Sequence, residues 1–152
     1  MKIIEKILNI IGSKENKSVD KKYNEEKFYV VGVCYYENNI KKLRVKNELW
    51  KSKDIIGKKI YKYNYINKPV KLVPDPQNEH DKNAVKVIVA GEVVGFISRN
   101  ENEHVLSILK NADIKYISSF IGGGEYKIIS ENGDVASWEN ENNVTVKIGY
   151  VM

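Results

Sequence analysis

Few side chains in this sequence could make or break a bond. His80 and His104 are its two histidines, and the segments around them belong to different predicted elements. Neither has Asp or Glu at the spacing of a zinc-binding helix or a catalytic triad, so hydrolytic and metal chemistry lack their usual parts. Cys34 is the one cysteine. That excludes an intramolecular disulfide and a Cys-based zinc site within one chain, and it suits a reducing, cytosolic setting. Cys34 falls inside an apolar run, where a buried, inert thiol is expected. Gly122, Gly123 and Gly124 lack the lysine and following hydroxyl of a phosphate loop, and they join strand-like segments instead of opening a helix. A bulge or tight turn is their expected use. Binding chemistry is better supplied. Unpaired bases stack on aromatic rings while phosphates seek positive charge, and the chain has ten tyrosines and 25 Lys and Arg residues. Lysines interleave with Tyr61, Tyr63 and Tyr65, although alternate tyrosines on a strand also serve as half-buried packing.

The elements that must position these groups are mostly strands. Phe28 to Tyr36, FYVVGVCYY, is rich in β-branched and aromatic residues and reads as a central strand. Asn38 and Asn39 suggest a turn, and Glu48 to Lys51 a short helix broken by Gly57. KKIYKYNYI would set Tyr61, Tyr63 and Tyr65 on one side of a strand. Val70 to Val73 is a short strand ended by Pro74 and Pro76, because proline cannot donate to a ladder. After a turn-rich loop, Val85, Val87 and Val89 should point inward, and Ala90 and Gly91 close a hairpin into VVGFI. Asn100 or Asn102 can cap a helix with apolar face Val105, Leu106, Ile108 and Leu109. Ile114 to Ile121 and Tyr126 to Ile129 read as two strands about the glycine triplet. The last strand, Val144 to Tyr150, turns Val144, Val146, Ile148 and Tyr150 to one face. Many short strands and few helices predict a mainly β fold with two or three helices, closed or partly closed into a barrel because closure removes exposed edges.

With 152 residues, 42% hydrophobic and 30% charged, the chain has the size and composition of one folded domain. Residues 1–27 are expected to form an N-terminal amphipathic helix and a polar linker, and 28–152 the β domain. Ile3, Ile4, Ile7, Leu8 and Ile11 share a helical face suited to packing on the domain, on a partner or on a second copy, or to transient membrane-surface contact. Glu5 and Lys6 interrupt the run as a signal peptide would not, and no segment approaches the length of a membrane span. The net charge of +5 is uneven. Lys41 to Lys71 carries eleven positive residues against Glu48 and Asp54, a net +9, while the balance reverses after Glu125. Such polarity could present a basic face to a polyanion, or lysine could be an ordinary surface residue here.

The most informative block is VKLVPDPQNEHDKNAVKVIVAGEVVGFISR, Val70 to Arg99. It resembles the HIRAN domain family, which shows a strand, a loop of the form P-x-N-x-x-D-x-N-A, a valine-rich strand and a G-[YF]-[IL] ending. The matching residues are Pro76, Asn78, Asp81, Asn83, Ala84, Val85, Val87, Gly95, Phe96 and Ile97, and VGVCYY resembles the family's first strand. The resemblance spans about Phe28 to Leu109. It implies a small OB- or SH3-like β-barrel that binds without catalysing, needs no cofactor or metal, and in DNA-damage-tolerance helicases holds the 3′ end of single-stranded DNA. On that likeness Tyr35 and Tyr36 match the pair that stacks on terminal bases, and Asp81 the acid that accepts a hydrogen bond from the terminal 3′-hydroxyl. His80 takes a position often aromatic, Phe96 lines the pocket, and Arg99 lies near the phosphates. Cys34 stands where the family can carry a basic residue, and the basic insert at about 41–68 lengthens the spacing between the tyrosine pair and the Asp81 loop. From the residues themselves, Asp81 could equally build the loop by bonding backbone amides, and Arg99 could be a surface residue with no ligand. The expected function is non-enzymatic binding of nucleic acid, single-stranded DNA foremost. A protein-interaction module using the barrel groove or the N-terminal helix is the alternative.

Overall fold

The computed structural model describes residues 22–152; the helix expected over Ile3–Ile11 lies outside them. The elements run β1 (Tyr23–Val31), a 3-10 turn (Val33–Tyr36), α1 (Glu37–Leu43), β2 (Arg44–Lys46), a second 3-10 turn (Glu48–Lys51), β3 (Ile60–Tyr61) and β4 (Tyr63–Tyr65). They continue with β5 (Val70–Pro74), β6 (Val85–Val89), β7 (Glu92–Ile97), α2 (Asn102–Asn111), β8 (Asp113–Ile129) and β9 (Val135–Val151). β1 starts inside the stretch read as polar linker. Among the described residues no helix is long and apolar enough to cross a membrane.

Seven strands form one antiparallel sheet in the order β3-β8-β9-β1-β7-β6-β5, and β2 pairs with β4 in a small second sheet. The sheet does not close into the expected barrel, since β3 and β5 each pair on one side only. Its edges are protected by other means. β3 is two residues long, and β5 ends in Pro74, which has no N–H to offer a further strand.

The period-2 expectation holds where burial is strongest. Val85, Val87 and Val89 have no exposed surface, and Val144, Val146, Ile148 and Tyr150 are each at most 3% exposed. α2 adds Val105 and Ile108, fully buried, with Leu106 and Leu109 packed beside them, and α1 adds Ile40 and Leu43 to the same core. Each such side chain contributes roughly 1.5–3 kcal/mol by leaving water. Ala90 and Gly91, both at positive φ, make the turn between β6 and β7, as the turn chemistry predicts.

Elsewhere local reading failed for identifiable reasons. The strand expected through Tyr36 ends at Val31, because Gly32 takes φ 74° and starts the 3-10 turn. Asn38 and Asn39 lie in α1, not in a turn. Tyr61, Tyr63 and Tyr65 do not share a strand: Tyr61 pairs with β8, while Tyr63 and Tyr65 pair with β2. The two strands expected about the glycine triplet are one strand, β8, whose register shifts between Gly122 and Gly124. Neither Asn100 nor Asn102 caps α2; Glu101 occupies the N-cap and its side chain makes no capping bond.

Candidate nucleic-acid interface

Two glycines bring the site together. Val31 of β1 stands opposite Phe96 of β7, and a Cβ on the preceding Gly95, at φ 150°, would lie 2.5 Å from the Val31 carbonyl oxygen. Only glycine permits that approach. Gly32 then turns the chain so that Val33 enters the core while Cys34 and Tyr35 face outward. Cys34 is exposed, which corrects the buried thiol expected from a continuous strand. Tyr35 is 84% exposed. Tyr36 is half-buried, its ring 6.5 Å from that of Phe96 and inclined by 53°.

The loop between β5 and β6 is organised by its own side chains. Asn78 Oδ1 accepts from the N–H groups of His80 (2.9 Å) and Asp81 (3.1 Å), and Asp81 Oδ1 accepts from Asn83 N (2.9 Å). Asp81 therefore does build the turn, as its chemistry allowed. Its second oxygen faces away: Asp81 Oδ2 accepts from Asn102 Nδ2 at 2.8 Å and from Arg99 Nε at 3.3 Å. Arg99 also donates from Nη2 to the His80 carbonyl at 2.7 Å. The backbone N–H of Asn83, then Asn102 and Arg99, hold the Asp81 carboxyl below the ordinary carboxylate range against the opposing pull of desolvation. It is ionised at neutral pH, and a carboxylate oxygen can accept from more than one donor. Asn102, 2% exposed, is a site residue that sequence reading missed; its place at a helix start pointed to capping.

Tyr35, Tyr36, His80, Asp81, Phe96 and Arg99 line one open depression of about 300 Å³, with Val31 and Asn102 beside them. The structure thus gathers all six residues marked in the sequence. It separates other candidates. His104 is elsewhere, its Nε2 2.8 Å from Glu26 Oε1. Among the described residues no group of three or more His, Cys, Asp or Glu side chains could hold a metal ion. The basic insert does not present all its lysines to one ligand, for Lys42 Nζ is 3.7 Å from Glu92 and Lys62 Nζ is 3.5 Å from Glu125. Arg44 of the insert is structural. It donates to the carbonyls of Gly123 (3.0 Å) and Gly122 (2.7 Å) and to Asn142 Oδ1 (2.9 Å), and desolvation lowers its pKa. The glycine triplet is a bulge, one of the two uses expected of it beside a tight turn, and it receives this guanidinium.

A family model described as HIRAN domain matches residues 23–131. Among solved structures, the chain is similar to the crystal structure of the HIRAN domain of human HLTF, with 21% sequence identity and a TM-score of 0.44. That similarity covers 84% of this chain and 75% of the other. No curated protein matches.

Proposed function

The chain belongs to the HIRAN domain family, and we propose that it is a non-enzymatic module that holds single-stranded nucleic acid, DNA foremost, by its 3′ end. The observation that carries this reading is the depression itself. Three segments distant in sequence supply, side by side, an exposed ring, a ring pair, an ionised carboxylate and a guanidinium. Tyr35 offers a stacking face to a base, and Tyr36 with Phe96 forms the wall against which a terminal sugar and base would rest. Asp81 Oδ2, held in place by Asn102, accepts from the terminal 3′-hydroxyl. Arg99, whose side chain is 73% exposed, has N–H groups to turn toward phosphate, and its exposed pairing with Asp81 costs little to rearrange.

The function is tested by fluorescence anisotropy of labelled oligonucleotides ending in a 3′-hydroxyl or a 3′-phosphate. Binding should weaken with salt by about 0.7 in the logarithmic slope for each phosphate neutralised. A 3′-phosphate, bulky and anionic beside Asp81, should weaken it about tenfold or more, on the order of 1.4 kcal/mol. Asp81→Asn should abolish most of that difference. No binding at low salt would exclude the function, and binding blind to the 3′ group would leave Asp81 as a loop builder only.

A further inference from the structure

The depression opens onto the outer face of the sheet, and that face has the composition of a track for a single strand. Directly opposed residues of antiparallel strands share a face. On β1 the residues alternating with buried Phe28 and Val30 are Lys27, Tyr29 and Val31. Val31 opposes Phe96, a wall of the depression. Tyr29 opposes Thr145, which on its other side opposes Phe120; likewise Lys27 opposes Lys147, which opposes Ser118. Tyr29 is 60%, Phe120 57% and Val31 47% exposed. Phe120, Lys27 and Lys147 also edge a shallow hollow of about 250 Å³.

We propose that this face, from Val31 through Tyr29 to Phe120 with Lys27 and Lys147 alongside, is a second binding site that carries the 5′-ward nucleotides of the strand whose end sits in the depression. The inference rests on the pocket reading above and extends it. Adjacent strands lie about 4.8 Å apart, so Tyr29 and Phe120, two strands apart, sit roughly 10 Å from one another, separate platforms and not one stacked pair. Rings set beside a pair of lysines match a polymer of bases and phosphates. A dry protein interface is instead depleted of lysine at its centre. One carboxylate, Glu25, lies next in the row, and Lys147 Nζ is 3.9 Å from it, so the track is bounded on that side.

The test compares oligonucleotides of about three and about twelve nucleotides sharing one 3′ end, bracketing the size range of single-strand sites. Tyr29→Ala and Phe120→Ala should each weaken the longer ligand about tenfold and leave the shorter unchanged. Lys27→Gln with Lys147→Gln should lower the salt slope for the longer ligand by about one and leave that for the shorter alone. This pair keeps the question open to measurement if removing a ring disturbs folding. Equal losses on both lengths, or none on either, would overturn the proposal. If the 3′-phosphate proved harmless while the length-dependent losses persisted, the pocket reading would fail and the track would stand.

Discussion

Tyr35 and Tyr36 are neighbours in sequence with different energetics. Tyr36 packs against Phe96 and is part of the fold's wall, whereas Tyr35 is 84% exposed. Its ring spends little on stability and can be committed to a ligand. Tyr35→Ala is therefore expected to move the free energy of unfolding by no more than about 0.5 kcal/mol in a urea titration. The same variant should weaken single-strand binding by about 1–3 kcal/mol in anisotropy. A large loss of stability with unchanged binding would assign the ring to packing instead. Asp81 has two roles at once because a carboxylate has two oxygens: Oδ1 closes the loop on Asn83 and Oδ2 faces Arg99 and Asn102. The loop-building and ligand-binding readings of this aspartate, alternatives in the sequence, are compatible in the structure.

At the scale of elements, the long β8–β9 hairpin shows how glycine position sets energetic consequence. Gly123 and Gly133 both adopt positive φ, 87° and 90°. A Cβ on Gly123 would fall 2.1 Å from the Glu141 carbonyl oxygen, while one on Gly133, in the hairpin turn, would meet nothing within 4 Å. Gly133→Ala should cost about 1–2 kcal/mol, the ordinary penalty of a left-handed residue. Gly123→Ala must in addition move the bulge that holds Arg44, and should cost on the order of 3 kcal/mol or more. Denaturant melts of the two variants would show this difference; equal costs would mean that the bulge yields freely. From its composition the triplet read as a bulge or a tight turn between two strands, and the continuous β8 makes it a bulge. Arg44 as its partner was not, since Gly123 is 79 positions away and nothing local marks the pairing.

Across the whole molecule, Glu26 of β1 ties together β9 and α2. It accepts from the Tyr150 hydroxyl and pairs with His104 at 2.8 Å. The hydrogen bond with Tyr150 is the leading cause of both shifts, holding the Glu26 carboxyl below its usual range and pushing the Tyr150 phenol up to about 12. A raised phenol pKa stabilises the fold fully below the unfolded value near 10, and the contribution is lost as pH rises through about 12. A lowered carboxylate pKa works at the other end: its contribution is in place above about 4 and is lost as pH falls through the folded value. Thermal melts of wild type and Tyr150→Phe should therefore differ by a constant amount near neutrality, and the gap should narrow between about pH 10 and 12. A gap independent of pH in that window would deny the coupling. Lysine deprotonation affects both proteins alike and cancels in the comparison.

The sequence alone determined part of what depends on near neighbours, where burial or turn chemistry was strong. The alternation of Val85, Val87 and Val89, the apolar face of α2 and the side-chain bonds of the Asn78–Asn83 loop are set by residues a few positions apart that fall within one element or one loop. Tertiary structure alone decided which surfaces meet. That Tyr36 reaches Phe96, that Asn102 braces Asp81, and that the sheet stays open with a ringed outer face follow from strand pairings between distant segments. Backbone hydrogen bonds are alike at every register, so only the packing of the assembled core selects among the pairings.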